Sequence, residues 1–260
     1  MIDRESPPKA TNPRARIAPA STLDLRSVLV AGLLVGLRAL PLALSLFPTA
    51  ARADEWKHLF DKDGAQVYSR EVAGSPVKEF RVVATIFAPA DRLTSIMYDI
   101  SSHPQFLPPT ETVEIVKQDA SGTLFHMVVN PSWVSRRDNC LRHSLMRLAD
   151  GSFRTEWHST DEGCPAAGKG VVRMIRNDGL CLLTPSPDGQ STRVEYTAHH
   201  VPGGSIPAWM VNAGLPRSLP KVLQAVSVRA SQPRYQATST EVQKLVAAAT
   251  PASHPGDASK

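Results

Sequence analysis

The chain has 260 residues, of which 42% are hydrophobic and 20% are charged, and these fractions are typical of a globular protein. Its net charge of +5 would suit a nucleic-acid-binding protein, but the excess is local: residues 1–53 hold seven Lys and Arg against three Asp and Glu, whereas residues 54–260 hold 22 against 21. A nucleic-acid-binding domain needs a basic patch of its own, so we expect no nucleic-acid partner.

Residues 1–53 have the composition of a secretory signal peptide with a long n-region. A polar, basic stretch precedes an apolar stretch at 28–47, and Ala51-Arg52-Ala53 forms a small-x-small cleavage site. We therefore expect a mature chain that starts near Asp54 and an exported protein, periplasmic or secreted. An uncleaved membrane anchor is the alternative, but Arg38 interrupts the apolar stretch and costs a spanning helix about 2.5–3.5 kcal/mol.

The sequence that follows Asp54 predicts a β-hairpin. Residues 55–60 are expected to form a short helix, and strand-like runs follow at 65–72 and 79–86, with Gly74-Ser75-Pro76 between them. Two such runs joined by a short turn indicate a β-hairpin.

A helical pattern follows the hairpin. Leu93, Ile96 and Met97 recur at the i, i+3, i+4 spacing of one helix face. We predict a helix over residues 88–98 and a second short helical turn over residues 101–106.

Strand-like runs dominate the middle of the chain. Asp-Gly turns separate several of them, at 150–151, 178–179 and 188–189, and Asp-Gly between apolar runs is a strong hairpin signal. Consecutive hairpins build an antiparallel sheet, because parallel strands need crossover helices. The predicted strands span 112–118, 123–129, 138–147, 153–158, 170–177, 181–184 and 192–200.

A long helix is predicted over about residues 206–229. Pro216 and Pro220 lie inside it and should kink or break it. Residues 232–260 are rich in Pro, Ser, Thr and Ala, and we predict a flexible tail. The fold class is therefore α+β: one domain over residues 54–231, with a curled antiparallel sheet wrapped around the long C-terminal helix and two short helices after the first strands. The space between such a sheet and its helix is a preferred place for a ligand.

Three cysteines, Cys140, Cys164 and Cys181, leave two interpretations open. An exported chain could oxidise one pair and keep the third thiol free, or all three could be buried as small hydrophobic side chains. No C-x-x-C motif is present, so zinc-ribbon and thioredoxin-like sites are excluded. We expect no metal site and no cofactor.

No complete catalytic set is found in the sequence. Residues 203–207 (GGSIP) approach a nucleophile elbow but end in Pro, so Ser205 is expected to cap the last helix instead. His199 and His200 are adjacent strand residues, whose side chains point to opposite faces. Three other histidines lie on separate predicted strands and would have to converge inside the sheet to act together: His126, His143 and His158.

Three charged residues lie in the middle of apolar strand runs: Arg142, Glu156 and Arg173. A core-facing charge is costly unless it is paired, so Arg142 and Glu156 could form a buried pair that meets the polar end of a ligand. The alternative is that all three face solvent on the convex side of the sheet. Arg137 and Asp138 are interpreted as structural, either as a turn-fixing pair or as a hydrogen-bond set.

Four strings in the chain are informative when they are taken together and in this order: GAQVYSR at 64–70, PSWVSRRD at 131–138, VRM at 172–174 and PGGSIPAWMVN at 202–212. With them the chain resembles the START family of steroidogenic-acute-regulatory-related lipid-transfer domains, within the helix-grip superfamily. The resemblance implies a tunnel under the last helix that buries one apolar molecule, often a lipid or sterol. We expect binding of such a molecule, its transfer as a further role, and a transient membrane contact.

The candidate ligand-binding residues are aromatic and Met side chains, with the Arg142–Glu156 pair at the polar end. Met suits an irregular apolar pocket, and Trp209 and Met210 would lie where a lid opens. The candidates are Phe125, Met127, Trp133, Arg142, Glu156, Trp157, Met174, Trp209 and Met210.

Non-catalytic binding of a lipid or other apolar molecule is the leading hypothesis. The helix-grip superfamily also includes cyclases and hydrolases, so the alternative is an enzyme that uses Arg142, Glu156 and a strand histidine as acid–base groups in the same cavity. A protein-interaction module with a filled core is the third hypothesis.

Overall fold

The structure is a computed structural model that describes residues 55–132 and 134–235. Trp133, the predicted signal peptide at 1–53 and most of the predicted tail at 232–260 lie outside the described residues. Within the described part, the helices are α1 (Ala90–Tyr98), α2 (Ala208–Ala230) and two short 3₁₀ helices, Ile100–Gln105 and Pro233–Tyr235. The strands are β1 (Lys57–Lys62), β2 (Ala65–Val72), β3 (Ser75–Ile86), β4 (Thr110–Asp119), β5 (Gly122–Val129), β6 (Arg137–Arg147), β7 (Phe153–Ser159), β8 (Val172–Arg173), β9 (Arg176–Pro185) and β10 (Thr192–Val201).

The strands form one open sheet in the order β1-β2-β3-β10-β9-β7-β6-β5-β4, in which all neighbours are antiparallel. The two-residue strand β8 lies off this path and pairs in parallel with β6. The β2–β3 hairpin and the two short helices after it are as predicted. This arrangement, with α2 following the last strand, confirms the predicted α+β helix-grip fold.

One face of the sheet is buried, and the strand sequences show why. In β7, Phe153, Thr155 and Trp157 are buried, whereas Arg154 and His158 between and beside them are exposed. Successive strand residues point to opposite faces, so an alternating sequence presents its apolar residues to one side. That side, the concave face, carries the hydrophobic core together with α1 and α2.

Helix α2 is continuous although it contains Pro216 and Pro220, so of the predicted kink or break, the break does not occur. Both prolines are buried and stand on the same face as Leu219, Leu223 and Val226. This i, i+3, i+4, i+7 pattern is an apolar stripe. Burying each large side chain of the stripe contributes about 1.5–3 kcal/mol, which offsets the hydrogen bonds that the prolines cannot donate.

Two local predictions at the ends of the domain are also wrong. Residues predicted as a helix at 55–60 fall largely in β1, which pairs antiparallel with β2 and so satisfies its backbone groups there. Ser205 does not cap α2, because the helix begins three residues later, at Ala208, and its N-cap is Pro207.

The predicted hairpin turn at 178–179 lies inside β9. The strand pairs with β7 on one side and β10 on the other, and Gly179 faces Trp157 and Ala198 across the two ladders. A Cβ on Gly179 would lie 2.1 Å from Trp157 Cζ2 and 2.5 Å from the carbonyl oxygen of Thr197. The sequence needs a glycine here because an indole ring covers the strand, not because the chain turns.

Cys140 and Cys164 form a disulfide with a Cα–Cα distance of 5.7 Å, and Cys181 is a free, buried thiol. The disulfide ties β6 to the loop between β7 and β8. Burial raises the pKa of the Cys181 thiol to about 12, so this thiol is uncharged at neutral pH. The sequence left open whether one pair of cysteines forms a disulfide or all three are free thiols, and the structure has one disulfide and one free thiol.

We expect Gly179→Ala to lower the free energy of unfolding by about 1–3 kcal/mol, because the new methyl group overpacks the site against Trp157. Gly214 in α2 is the matched control, since a Cβ there meets nothing within 4 Å. Gly214→Ala should raise the free energy of unfolding by about 0.5–1 kcal/mol. Urea unfolding of both variants measures the difference, and effects of the same sign would contradict the packing at Gly179.

Candidate ligand cavity

A cavity of about 220 Å³ lies between α2 and the concave face of the sheet. Helix α2 packs on β2, β3 and α1. It therefore covers only part of the width of the sheet. The uncovered part supplies the floor of the cavity from β5, β6, β7, β9 and β10. Large apolar side chains from the floor and from the helices line it, among them Met97, Phe125, Leu141, Trp157, Leu219 and Val222.

The cavity opens to solvent beside the middle of α2. Most of its lining side chains are buried or half-buried, but Pro108, Pro109 and Ser218 are exposed. These three residues place the mouth between α2 and the segment at 107–110. Sequence reasoning missed this segment, because nothing in a loop of prolines between a helix and a strand signals that it rims a pocket.

The cavity lining contains no Asp, Glu, Lys or Arg among the residues that the structure describes. Its polar members are two side chains near the mouth, Thr110 and Ser218, and a deeper set on the floor and beside α1. The deeper set comprises His103, His143, Asn177, Tyr196 and His200. An apolar wall with a few polar groups is the usual composition of a small-molecule site.

Trp157 is the centre of the deeper set. Its Nε1 donates to Asn177 Oδ1 at 3.3 Å. Its ring lies edge-on to the His143 ring, with centroids 6.0 Å apart, and is tilted against the Tyr196 ring at 5.0 Å. These contacts hold the indole in one orientation over Gly179 and make it a rigid part of the cavity wall.

The three cavity histidines are uncharged at neutral pH. Burial, with a smaller contribution from nearby His103, lowers the pKa of His143 to about 3. Burial likewise lowers the pKa of His103 and that of His200 to about 4. A charged imidazole would be poorly solvated in this apolar wall, which is the physical cause of all three shifts.

The predicted ligand-binding residues fall into two groups. Phe125, Met127, Trp157 and Met174 line the cavity. Trp209 does not line it and is 68% exposed, and Met210 beside it does not line it either. Both lie in the first turn of α2, ahead of the buried stripe, which begins at Pro216.

The predicted buried pair between Arg142 and Glu156 does not exist. Arg142 Nη1 donates instead to Asp119 Oδ1 at 3.1 Å, and Glu156 is bound by Arg154. The reason is strand alternation: the neighbours of these residues, His143 and Trp157, face the cavity, so Arg142 and Glu156 point to the other side of the sheet.

The predicted convergence of His126, His143 and His158 does not occur either. Only His143 lines the cavity, and His158 is exposed on the opposite face of β7. His126 Nε2 donates to Asp138 Oδ2 at 2.9 Å. His200, for which the sequence analysis predicted only a side chain opposite in direction to that of His199, is the second strand histidine in the wall.

Asp138 is fully buried and joins three strands. It accepts hydrogen bonds from His126 and from Arg173 Nε and Nη2, the latter two at 2.9 and 3.0 Å. Burial alone would raise the pKa of Asp138, but the hydrogen bonds from Arg173 and His126 hold it below its usual value. Arg137 contacts the carbonyl oxygens of Ser135 and Pro202, so it joins β6 to the turn before α2.

Two kinds of feature are absent from the residues that the structure describes. No group of three or more His, Cys, Asp or Glu side chains there is placed to hold a metal ion. No helix among them is long and apolar enough to cross a membrane.

We expect the free energy of unfolding to fall as pH drops from about 6.5 to about 4. In this range the unfolded chain binds protons at His103, His143 and His200 that the folded chain does not bind, so acid favours unfolding. Urea unfolding at several pH values measures the slope. His143→Phe should flatten it, because the variant has no imidazole at this position to bind a proton in the unfolded chain. Equal slopes for His143→Phe and the unmodified protein would contradict the burial of an uncharged imidazole.

Comparisons with known proteins agree with this architecture. The family model for the START domain matches residues 46–234. The uncharacterized protein PA1579 of Pseudomonas aeruginosa is 29% identical over 180 residues, which cover 68% of this chain and 88% of that protein. The STAR-related lipid transfer protein of Xanthomonas axonopodis (fragment 25–204) is 28% identical with a TM-score of 0.63, covering 69% of this chain and 100% of that one. Human STARD10, at 18% identity and a TM-score of 0.63 over 75% of this chain and 82% of its own, shares the fold.

Proposed function

The chain belongs to the START domain family, and from that membership and the geometry of the cavity we propose that it binds one apolar small molecule between α2 and the sheet. The observation that carries the proposal is the apolar cavity itself. A core that only had to be stable would fill this space, because protein interiors are close-packed and voids are costly. A third role, as an interaction module with a filled core, is therefore disfavoured.

The size of the cavity bears on the size of the ligand. Its volume of about 220 Å³ exceeds the roughly 150 Å³ at which an apolar cavity can hold benzene, and lies below the roughly 300–1,000 Å³ of sites for drug-sized ligands. A compact apolar molecule fits without rearrangement. A longer lipid would require α2 and the segment at 107–110 to separate at the mouth.

We favour binding over catalysis because of where the acid–base candidates lie. Arg142 and Glu156 project from the opposite face of the sheet, and the described cavity lining has no carboxylate that could act as a general base. Three neutral, deeply placed histidines are poor proton acceptors at pH 7 when their pKa values are about 3 to 4. Transfer of the ligand and transient membrane contact stay predictions.

The binding proposal is tested with two matched substitutions in α2. Val222 lines the cavity, whereas Val228 on the same helix is 63% exposed. We expect the unmodified protein to co-purify with an apolar molecule, seen by native mass spectrometry and identified after organic extraction. Val222→Trp should lose this molecule because the indole fills the cavity, and Val228→Trp should keep it.

Either of two results would contradict the proposal. The first is an unmodified protein that carries no ligand and binds none after incubation with mixed lipids and sterols. The second is a Val222→Trp variant that is folded by circular dichroism and retains the same molecule in the same amount.

We also propose that the protein is exported, with residues 1–53 removed. The disulfide between Cys140 and Cys164 supports this location, because disulfides persist in oxidising compartments and are rare in the cytosol. Protein recovered from the periplasm or the medium should begin at Asp54. Denatured without reductant, it should react with iodoacetamide at Cys181 alone. A cytosolic chain that starts at Met1 and is alkylated at all three cysteines would contradict the proposal.

A further inference from the structure

We infer that Trp157 sets the upper size limit of the ligand, because its indole fills the part of the cavity floor into which a longer molecule would extend. This inference rests on the proposed function, since it names the residue that decides which molecules the same cavity accepts. The cavity volume shows that a limit exists, and the inference assigns that limit to one side chain.

Trp157 lies on the floor of the cavity, away from the mouth. It projects from the concave face of β7 and is only 8% exposed. Strand β7 lies between β6 and β9, in the middle of the strands that supply the floor. A molecule that enters between α2 and the segment at 107–110 therefore meets the indole at the floor and not at the rim.

The indole occupies a recess that the neighbouring strand leaves empty. Gly179 on β9 is in register with Trp157 and has no side chain. A Cβ on Gly179 would lie 2.1 Å from Trp157 Cζ2, so the ring lies directly over the backbone of β9. The same Cβ would lie 2.5 Å from the carbonyl oxygen of Thr197, so the backbone also disfavours a larger residue at position 179. The space over β9 is thus filled from β7, by Trp157.

Contacts from three strands keep the indole in this recess. Its Nε1 donates to Asn177 Oδ1 on β9, and its ring packs against His143 on β6 and Tyr196 on β10. A rotation of the ring would break a hydrogen bond between buried groups together with two aromatic contacts. The floor therefore keeps its shape when a ligand enters.

Other large side chains in the lining differ from Trp157 in this respect. Met97, Met127 and Met174 also line the cavity. A Met side chain is unbranched and has three rotatable bonds, so it adapts to the shape of a ligand. These walls can adjust to differences in ligand shape, whereas the floor cannot, and the length of the ligand is limited where the wall is rigid.

The test measures how affinity depends on ligand length. Linear alcohols from 1-butanol to 1-dodecanol are titrated into the full chain at neutral pH and followed by calorimetry. They share one hydroxyl, so differences within the series report the hydrocarbon alone. Each methylene group that enters the cavity should raise the affinity about fourfold, and the rise should stop at the length that fills the cavity.

Trp157→Ala should move this stop to longer alcohols, because it opens the recess over Gly179 to the cavity. The longest probe should then bind at least about tenfold more tightly than it binds the unmodified protein. Trp157→Phe removes a smaller volume and should move the stop in the same direction by less. It also serves as the second variant if Trp157→Ala does not fold, which circular dichroism decides.

Trp209→Ala is the matched control. It makes the same substitution at a Trp that is 68% exposed and does not line the cavity. We expect the same dependence of affinity on length as in the unmodified protein.

The outcomes separate this inference from the proposed function. If the folded Trp157 variants stop at the same length as the unmodified protein, or if Trp209→Ala moves the stop as far as they do, the inference is overturned while binding in the cavity stands. An affinity that rises through the whole series in the unmodified protein would also overturn it. If no alcohol binds to the unmodified protein, the proposed function fails and the inference fails with it.

Discussion

The apolar stripe of α2 packs over β2, β3 and α1, and most other features of the structure depend on where that contact stops. Leu219, Leu223 and Val226 bury almost all of their surface against the sheet and α1, which secures the helix on one side. Beyond β3, α1 packs on β7 and β9, and the space left between α2 and these strands is the cavity. The same contact thus stabilises the domain and creates its ligand site.

The far wall of the cavity is held by different forces. The Cys140–Cys164 disulfide and the hydrogen bonds of Asp138 with His126 and Arg173 fix β5, β6 and the loop before β8. These bonds restrain the part of the sheet that α2 does not cover, where the cavity leaves the hydrophobic packing incomplete. A binding protein needs interactions that hold the cavity wall without filling the cavity, because a cavity that collapsed when empty would have to be reopened for every ligand.

Strand alternation distributes charge between the two faces. The outer face carries ion pairs such as Arg81 with Glu195 at 3.6 Å, and the guanidinium of Arg81 also lies 4.6 Å from the centre of the Trp56 ring. The inner face carries neutral aromatic and imidazole side chains. A one-residue shift of β6 or β7 would bring Arg142 or Glu156 inside and expel His143 or Trp157, so the apolar cavity depends on register as much as on composition.

The sequence by itself determined the family, the antiparallel sheet, the first hairpin, α1 and the extent of the last helix, because these follow from local periodicity and from four short strings. It also singled out Phe125, Met127, Trp157 and Met174, which the structure places in the cavity wall. Only the tertiary structure decided that Arg142 and Glu156 face outward, that Cys140 pairs with Cys164, that His143 and His200 share a wall, and that Pro216 and Pro220 stay within one helix. Each of these depends on groups that are distant in the chain, on strand register and on packing across the sheet, and no local pattern contains that information.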